Sequence, residues 1–167
     1  MIEMRRVTAG DAMTYGAIVV ASWKAAYRGI LSDDFLDRLE PADRAGYVLR
    51  SLESGSDDRI FLAYDGEKAV GALLVRPCGD ADALDTGEVL VLYLLPEAWG
   101  KGHGKGMMDF AIEQVREMGF STATLWVLND NARGRRFYER YGFAPDGAEQ
   151  DVVLDRPVRG MRYRLGL

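Results

Sequence analysis

The chain of 167 residues contains one cysteine, Cys78, and one histidine, His103. A single thiol closes no internal disulfide, and the pair makes no Cys/His metal site. The expectation is a metal-free protein of a reducing compartment, the cytoplasm. Cys78 follows Pro77 with no base beside it in sequence, so it lacks the activation that a thiol nucleophile needs. Long apolar runs are missing too. The most apolar early segment, Ala17 to Ala26, is short and interrupted, and Met1-Ile2-Glu3-Met4-Arg5-Arg6 turns polar at once. Neither a membrane span nor a targeting segment is expected. There is no basic excess: 21 Lys and Arg face 26 Asp and Glu, a net charge of −5, which argues against a nucleic-acid surface. Repeats, low-complexity tracts and linkers are absent. Residues 1–167 therefore read as a single domain, with 48% hydrophobic content to build one core.

Glycine, by contrast, is plentiful and concentrated. Leu95-Pro96-Glu97-Ala98-Trp99-Gly100-Lys101-Gly102-His103-Gly104-Lys105-Gly106 leads from an apolar run into an amphipathic one. Glycines permit backbone turns and close approaches that a Cβ blocks, and the first turn of a helix offers unpaired N–H groups and a positive dipole end. The loop therefore suits an anionic ligand. It is not a Walker A loop, since Trp99 stands at the first glycine position and Gly106 follows Lys105. Nor is it a dinucleotide G-x-G-x-x-G, because Lys105, Met107 and Asp109 fall where the third glycine belongs. Charge is uneven as well: Lys101, Lys105, Arg133, Arg135, Arg136 and Arg140 cluster around this loop and a later helix, while Asp33, Asp34, Asp37, Asp80, Asp82, Asp85 and Glu88 lie elsewhere. A polyanionic cofactor with a cationic acceptor suits that split, and so do two solvated faces.

Apolar spacing orders the elements. A strand over Glu3 to Thr8 precedes a helix over Asp11 to Tyr27 whose buried face is Ala12, Tyr15, Val19, Trp23 and Ala26. Short helices follow over Asp33 to Leu39, capped by Ser32, and Pro41 to about Leu52. Arg59 to Tyr64 and Lys68 to Arg76 read as a hairpin turned at Asp65-Gly66. Glu88 to Leu95, the glycine loop, a helix with Met107, Phe110, Ala111, Val115 and Met118 on one face, and Thr122 to Leu128 form a right-handed crossover, which makes the two strands parallel. A helix over Ala132 to Tyr141 ends at Gly142, a strand runs from Val158 to Leu165, and Pro145 to Pro157 reads as irregular.

Two motifs carry a resemblance. Trp99, Gly102 and Gly104 are similar to the pyrophosphate signature Q/R-x-x-G-x-G/A of the GNAT acetyltransferase superfamily, with Trp99 replacing Gln or Arg. Asn131 to Phe143 resembles the second signature, N-x-x-A-x-x-x-Y-x-x-x-G-F, with Gly134 replacing alanine. The resemblance covers nearly the whole chain and implies an α/β GNAT fold: a mixed central sheet, antiparallel N-terminal strands, a splayed parallel central pair and flanking helices. It implies acetyl-CoA as acyl donor and a primary amine as acceptor, held together as the amine attacks the thioester directly.

By the same resemblance Tyr138 is the acid that protonates the leaving thiolate, its alternative being a core aromatic. Glu88 is the base for the amine, its alternative an exposed carboxylate at a strand start. The cofactor falls to Trp99, Gly100, Lys101, Gly102, His103, Gly104, Lys105, Arg133, the backbone of Tyr93, Leu94 and Leu95, and Asn131, which is equally suited to cap the following helix. Trp23, Tyr27 and Arg28 fall at the acceptor pocket. Two other readings stay open, a noncatalytic acyl-CoA-binding regulator and an enzyme of another class using the loop for a different nucleotide. The sequence also leaves open a homodimer.

Overall fold

The computed structural model describes residues 1–167. Its seven strands are β1 (Ile2–Arg6), β2 (Arg59–Asp65), β3 (Lys68–Pro77), β4 (Gly87–Leu94), β5 (Thr122–Leu128), β6 (Ala144–Val153) and β7 (Pro157–Gly166). The helices are α1 (Ala12–Tyr27), α2 (Asp33–Asp37), α3 (Pro41–Ser54), α4 (His103–Glu117) and α5 (Ala132–Tyr141). All strands lie in one sheet of order β1-β2-β3-β4-β5-β7-β6. Neighbours are antiparallel except β4 and β5, which are parallel and paired only at Gly87 with Ala123 and Glu88 with Thr124. Beyond those two pairs the central strands diverge, and the sheet opens toward the C-terminal end of β4. This is the mixed α/β sheet with a splayed parallel pair that the sequence leads one to expect.

Strand alternation divides the core between the two faces. One face carries α1 and α3: Ala12, Tyr15, Ile18, Val19, Ala45 and Val48 pack on Ile60, Leu62, Ala72 and Leu74. The other carries α4: Met107, Met108, Ala111, Ile112 and Val115 pack on Leu73, Val75, Val89, Leu125 and Tyr163, with Phe137 and Tyr138 of α5 against the same cluster. Burying each such Leu, Val or Met contributes about 1.5–3 kcal/mol. Helices α1 and α3 cross closely because Gly16 has no Cβ; one there would strike the carbonyl of Pro41.

Two local expectations shift. The β2–β3 turn is Gly66-Glu67, since Asp65 and Lys68 still pair and Gly66 takes the positive φ of 63°. Pro145 to Pro157, read as irregular, is mostly strand: residues 144–153 form the edge strand β6, and 154–156 turn into β7. The pattern of β6 was illegible because Pro145, Gly147 and a register break between Pro145 and Glu149 interrupt the alternation.

Candidate active site

The opening between β4 and β5 is the mouth of a cavity of ≈ 650 Å³, bordered by α1, β4, the glycine loop, the start of α4, β5 and α5. Its basic end is built around the loop. Gly100 and Gly102 adopt φ of 75° and 80°, conformations that L side chains resist, and these two turns swing the chain from β4 into α4. Gly102 is the N-cap of α4 and no side chain caps that helix, so its first N–H groups are left for a ligand. Gly104 and Lys105 also line the cavity. Trp99 donates its indole N–H to the Leu94 carbonyl at 2.9 Å, and the Arg133 guanidinium lies 3.5 Å above its ring.

Helix α5 supplies the rest of that end. Asn131 caps it, its Oδ1 accepting from the Gly134 N–H at 3.0 Å, while its side chain also borders the cavity. The two expected roles thus coexist: Oδ1 is used by the cap and the Nδ2 donor is left over. Glycine at 134 suits this tight cap, since a Cβ there would sit 2.6 Å from Asn131 Nδ2. Arg133, Arg136 and Arg140 follow at helical spacing and all line the cavity. The lining carries no Asp or Glu. A cradle of glycines, helix N–H groups and arginines without acid partners fits the phosphates of coenzyme A, and the opening beside it admits an extended arm.

Toward the centre, Tyr138 reaches the cavity from α5, its ring edge-on to Phe137, Phe143 and Tyr163. Burial pushes its phenol well above the ordinary value, with the neighbouring Tyr93 adding to the shift, so the proton stays on. The far end is aromatic. Tyr27 is buried on α1, and its Oη lies 3.5 Å from the Oη of Tyr93. Trp126 of β5 completes the wall, its Nε1 donating to Asp80 at 2.9 Å.

Several expected residues are placed elsewhere. Leu95 turns its N–H to Val70 O at 2.8 Å, so it offers nothing to a thioester. Strand alternation instead aims the N–H groups of Leu92 and Leu94 at the opening, where β5 supplies no partner. The Leu94 carbonyl is taken by both Trp99 and Ser22 Oγ, the latter at 3.1 Å. Lys101 and His103 face a smaller hollow beside β1, and His103 Nε2 pairs with Asp65 at 3.2 Å.

Arg28 lies at the exposed α1–α2 corner, bound to Asp33 at 2.9 Å and Asp37 at 2.6 Å. Trp23 stacks edge-on against Tyr27 and Tyr93 behind the wall and does not line the cavity. Glu88 is likewise off the cavity lining. Its carboxylate, 5% exposed, accepts from Arg76 Nε at 2.8 Å on the sheet face that carries α1 and α3. Ser22 and Trp126 were not singled out from the sequence, and Arg136 and Arg140 were read only as members of the basic cluster. For Trp126 the signal was its place between Leu125 and Val127, two core positions, which turns an aromatic to the opposite face.

Comparison with known proteins gives the same outline. Residues 21–143 match the family model described as "Acetyltransferase (GNAT) family". A mycothiol acetyltransferase of Geodermatophilus obscurus is 38% identical over 98 residues, which is 57% of this chain but 32% of that protein; of a second such relative, from Propionibacterium freudenreichii, the chain covers 46%, less than half in either case. A spermidine N(1)-acetyltransferase of Thermoplasma acidophilum is 26% identical over 160 residues, covering 93% of this chain and 96% of the relative. The solved PaiA N-acetyltransferase of Thermoplasma acidophilum, in complex with coenzyme A, superposes with a TM-score of 0.77 over 100% of this chain and 99% of its own, at 23% identity. With the splayed parallel pair, the uncapped glycine loop and a matching family model across most of its length, the chain belongs to the GNAT acetyltransferase family.

Proposed function

We propose that the cavity binds acetyl-CoA at its basic end and transfers the acetyl group to a primary amine entering past Tyr27, Tyr93 and Trp126. The carrying observation is one continuous opening with a polycationic glycine cradle at one end, a buried protonated phenol at the centre and an aromatic wall at the other. The amine nitrogen attacks the thioester carbon and the C–S bond breaks. The attacking nitrogen, positively charged once bonded, sheds a proton to water as the amide forms, while the departing thiolate takes the proton of Tyr138, which solvent restores. The Leu94 N–H, unpaired on the β5 side, is placed to polarise the carbonyl.

No carboxylate borders the cavity, and Glu88 is held by Arg76. The amine therefore loses its proton to water and attacks as its neutral fraction. A lysine-like amine is neutral in about one part in a thousand at pH 7.4, an α-amino group in roughly a fifth to a third. The reading favours acceptors of low basicity: amino sugars, α-amino groups and short peptides over polyamines.

The test is thiol release from acetyl-CoA over an amine panel that includes spermidine, with products identified by mass spectrometry. Acetylated amine with stoichiometric free thiol supports the reading. Tight acetyl-CoA binding without turnover on any amine makes the chain a binding module. Displacement of coenzyme A by ATP or NAD points to another nucleotide.

A further inference from the structure

Trp99 has one hydrogen-bond donor, the indole N–H, and the Leu94 carbonyl already takes it at 2.9 Å. Its backbone N–H is also spent, on Pro96 O at 3.1 Å. Trp99 therefore has no donor left for an anion, although it stands at the head of the loop. What it offers is a fixed ring face, and Arg133 lies on that face at 3.5 Å. Stacking uses the flat side of a guanidinium and leaves its N–H edge free, the edge that grips two phosphate oxygens at once.

Three arginines of the lining, Arg133, Arg136 and Arg140, have no acidic partner, and of these only Arg133 lies over the Trp99 ring. Arg76, Arg135 and Arg162 are each held by acidic side chains, and Lys105 is tied to Asp109 at 2.7 Å. Arg133 has no carboxylate partner within 4.0 Å, lines the cavity and is carried by the first turn of α5, where the Asn131 cap fixes the backbone. We propose that Trp99 is a positioning residue which holds Arg133 over the glycine loop, making Arg133 the side-chain ligand of the cofactor's pyrophosphate. This rests on the acetyl-CoA reading above.

The experiment is calorimetric binding of acetyl-CoA and of 3′-dephospho-CoA at two salt concentrations. Arg133→Ala weakens both ligands by about ten- to a hundredfold and flattens the salt dependence. Trp99→Leu weakens them by about three- to tenfold. The double variant loses no more than Arg133→Ala alone, because the tryptophan works through the arginine. Combining Trp99→Arg with Arg133→Ala returns part of the affinity, since a side chain at 99 reaches the place the guanidinium occupied. Arg133 is exposed, so its variant should melt with the wild type and keeps the test independent of folding.

Unchanged affinity in Arg133→Ala overturns the proposal, and so do additive losses in the double variant. A loss seen with acetyl-CoA but not with 3′-dephospho-CoA assigns Arg133 to the 3′-phosphate and overturns it as well. Failure of the wild type to bind acetyl-CoA overturns the underlying reading instead, and is recognised before any variant is made.

Discussion

Arg76 Nε donates to Glu88 Oε2 across 2.8 Å, and this pair, on neighbouring strands, lies on the sheet face under α1 and α3. Glu88 shares that face with Tyr93 but stands five residues away along β4, about 16 Å at the rise of a strand. Its carboxylate serves the sheet in this geometry.

Glu88→Gln should therefore lower stability by about 1–3 kcal/mol, because the half-buried Arg76 loses its counter-charge. The catalytic consequence separates structure from chemistry. Profiles of kcat/KM against pH, measured with one acceptor of high and one of low amine pKa, should stay parallel between variant and wild type. Activity lost near neutrality only for the more basic amine, and regained in alkali, would show Glu88 to be the base after all.

Tyr138→Phe keeps the ring and removes the proton. Turnover should drop by on the order of 10²–10⁴ with acetyl-CoA affinity little changed, read by single-turnover kinetics and calorimetry. Equal turnover, with chemistry shown to limit the rate, reassigns Tyr138 to packing against Phe143 and Tyr163.

Phenols raised by burial set the alkaline limit. Burial raises the pKa of Tyr15, Tyr27 and Tyr138 in the fold, whereas in the unfolded chain each titrates at about 10. The folded state holds protons that the unfolded state releases, so this contribution is fully present below pH 10 and declines as pH rises beyond it. Thermal melts from pH 8 to 12 should show Tm falling only above about 10. Phenolate absorbance of these residues should appear together with unfolding, and early ionisation without it counts against the buried placement.

Loop shape should matter more than loop polarity. Gly102→Val forces a branched side chain into φ of 80° and should weaken acetyl-CoA binding at least several-fold, since left-handed backbone costs about 1–2 kcal/mol per residue. His103→Ala and Lys101→Ala, whose side chains face the hollow beside β1, should stay within about twofold; Lys105→Ala should show a small effect that salt erases. The reverse order in calorimetry would favour side-chain recognition over a backbone cradle.

Periodicity made most of the fold readable. β5 and α5 run from Thr122 to Leu128 and Ala132 to Tyr141 as the apolar spacing indicates: β5 buries Ala123, Leu125 and Val127, and α5 rests Phe137, Tyr138 and Tyr141 partly buried on the core before Gly142 ends it. The edge strand β6 was hidden because an exposed strand needs no apolar alternation. In the site, the glycine loop and Tyr138 were visible as motifs. The direction of Glu88 was not, since a register break between Leu74 and Val75 in the pairing of β3 with β4 changes which residues share a face, and no local pattern encodes it. The partners of Arg28, Asp33 and Asp37, were in plain view, yet only the α1–α2 corner brings them within reach.

Because β4 and β5 share only the Gly87–Ala123 and Glu88–Thr124 pairs, the sheet is two plates joined at one end, with no backbone ladder between them at the other. A ligand lodged between the plates acts as a clasp. It adds no strand of the chain's own, yet it links the half that begins with β1 to the half that ends with β7. At a hundred times its Kd such a clasp stabilises the whole by about 2.7 kcal/mol, and the amides of Leu92 and Leu94, at the free end, should be where hydrogen exchange slows most.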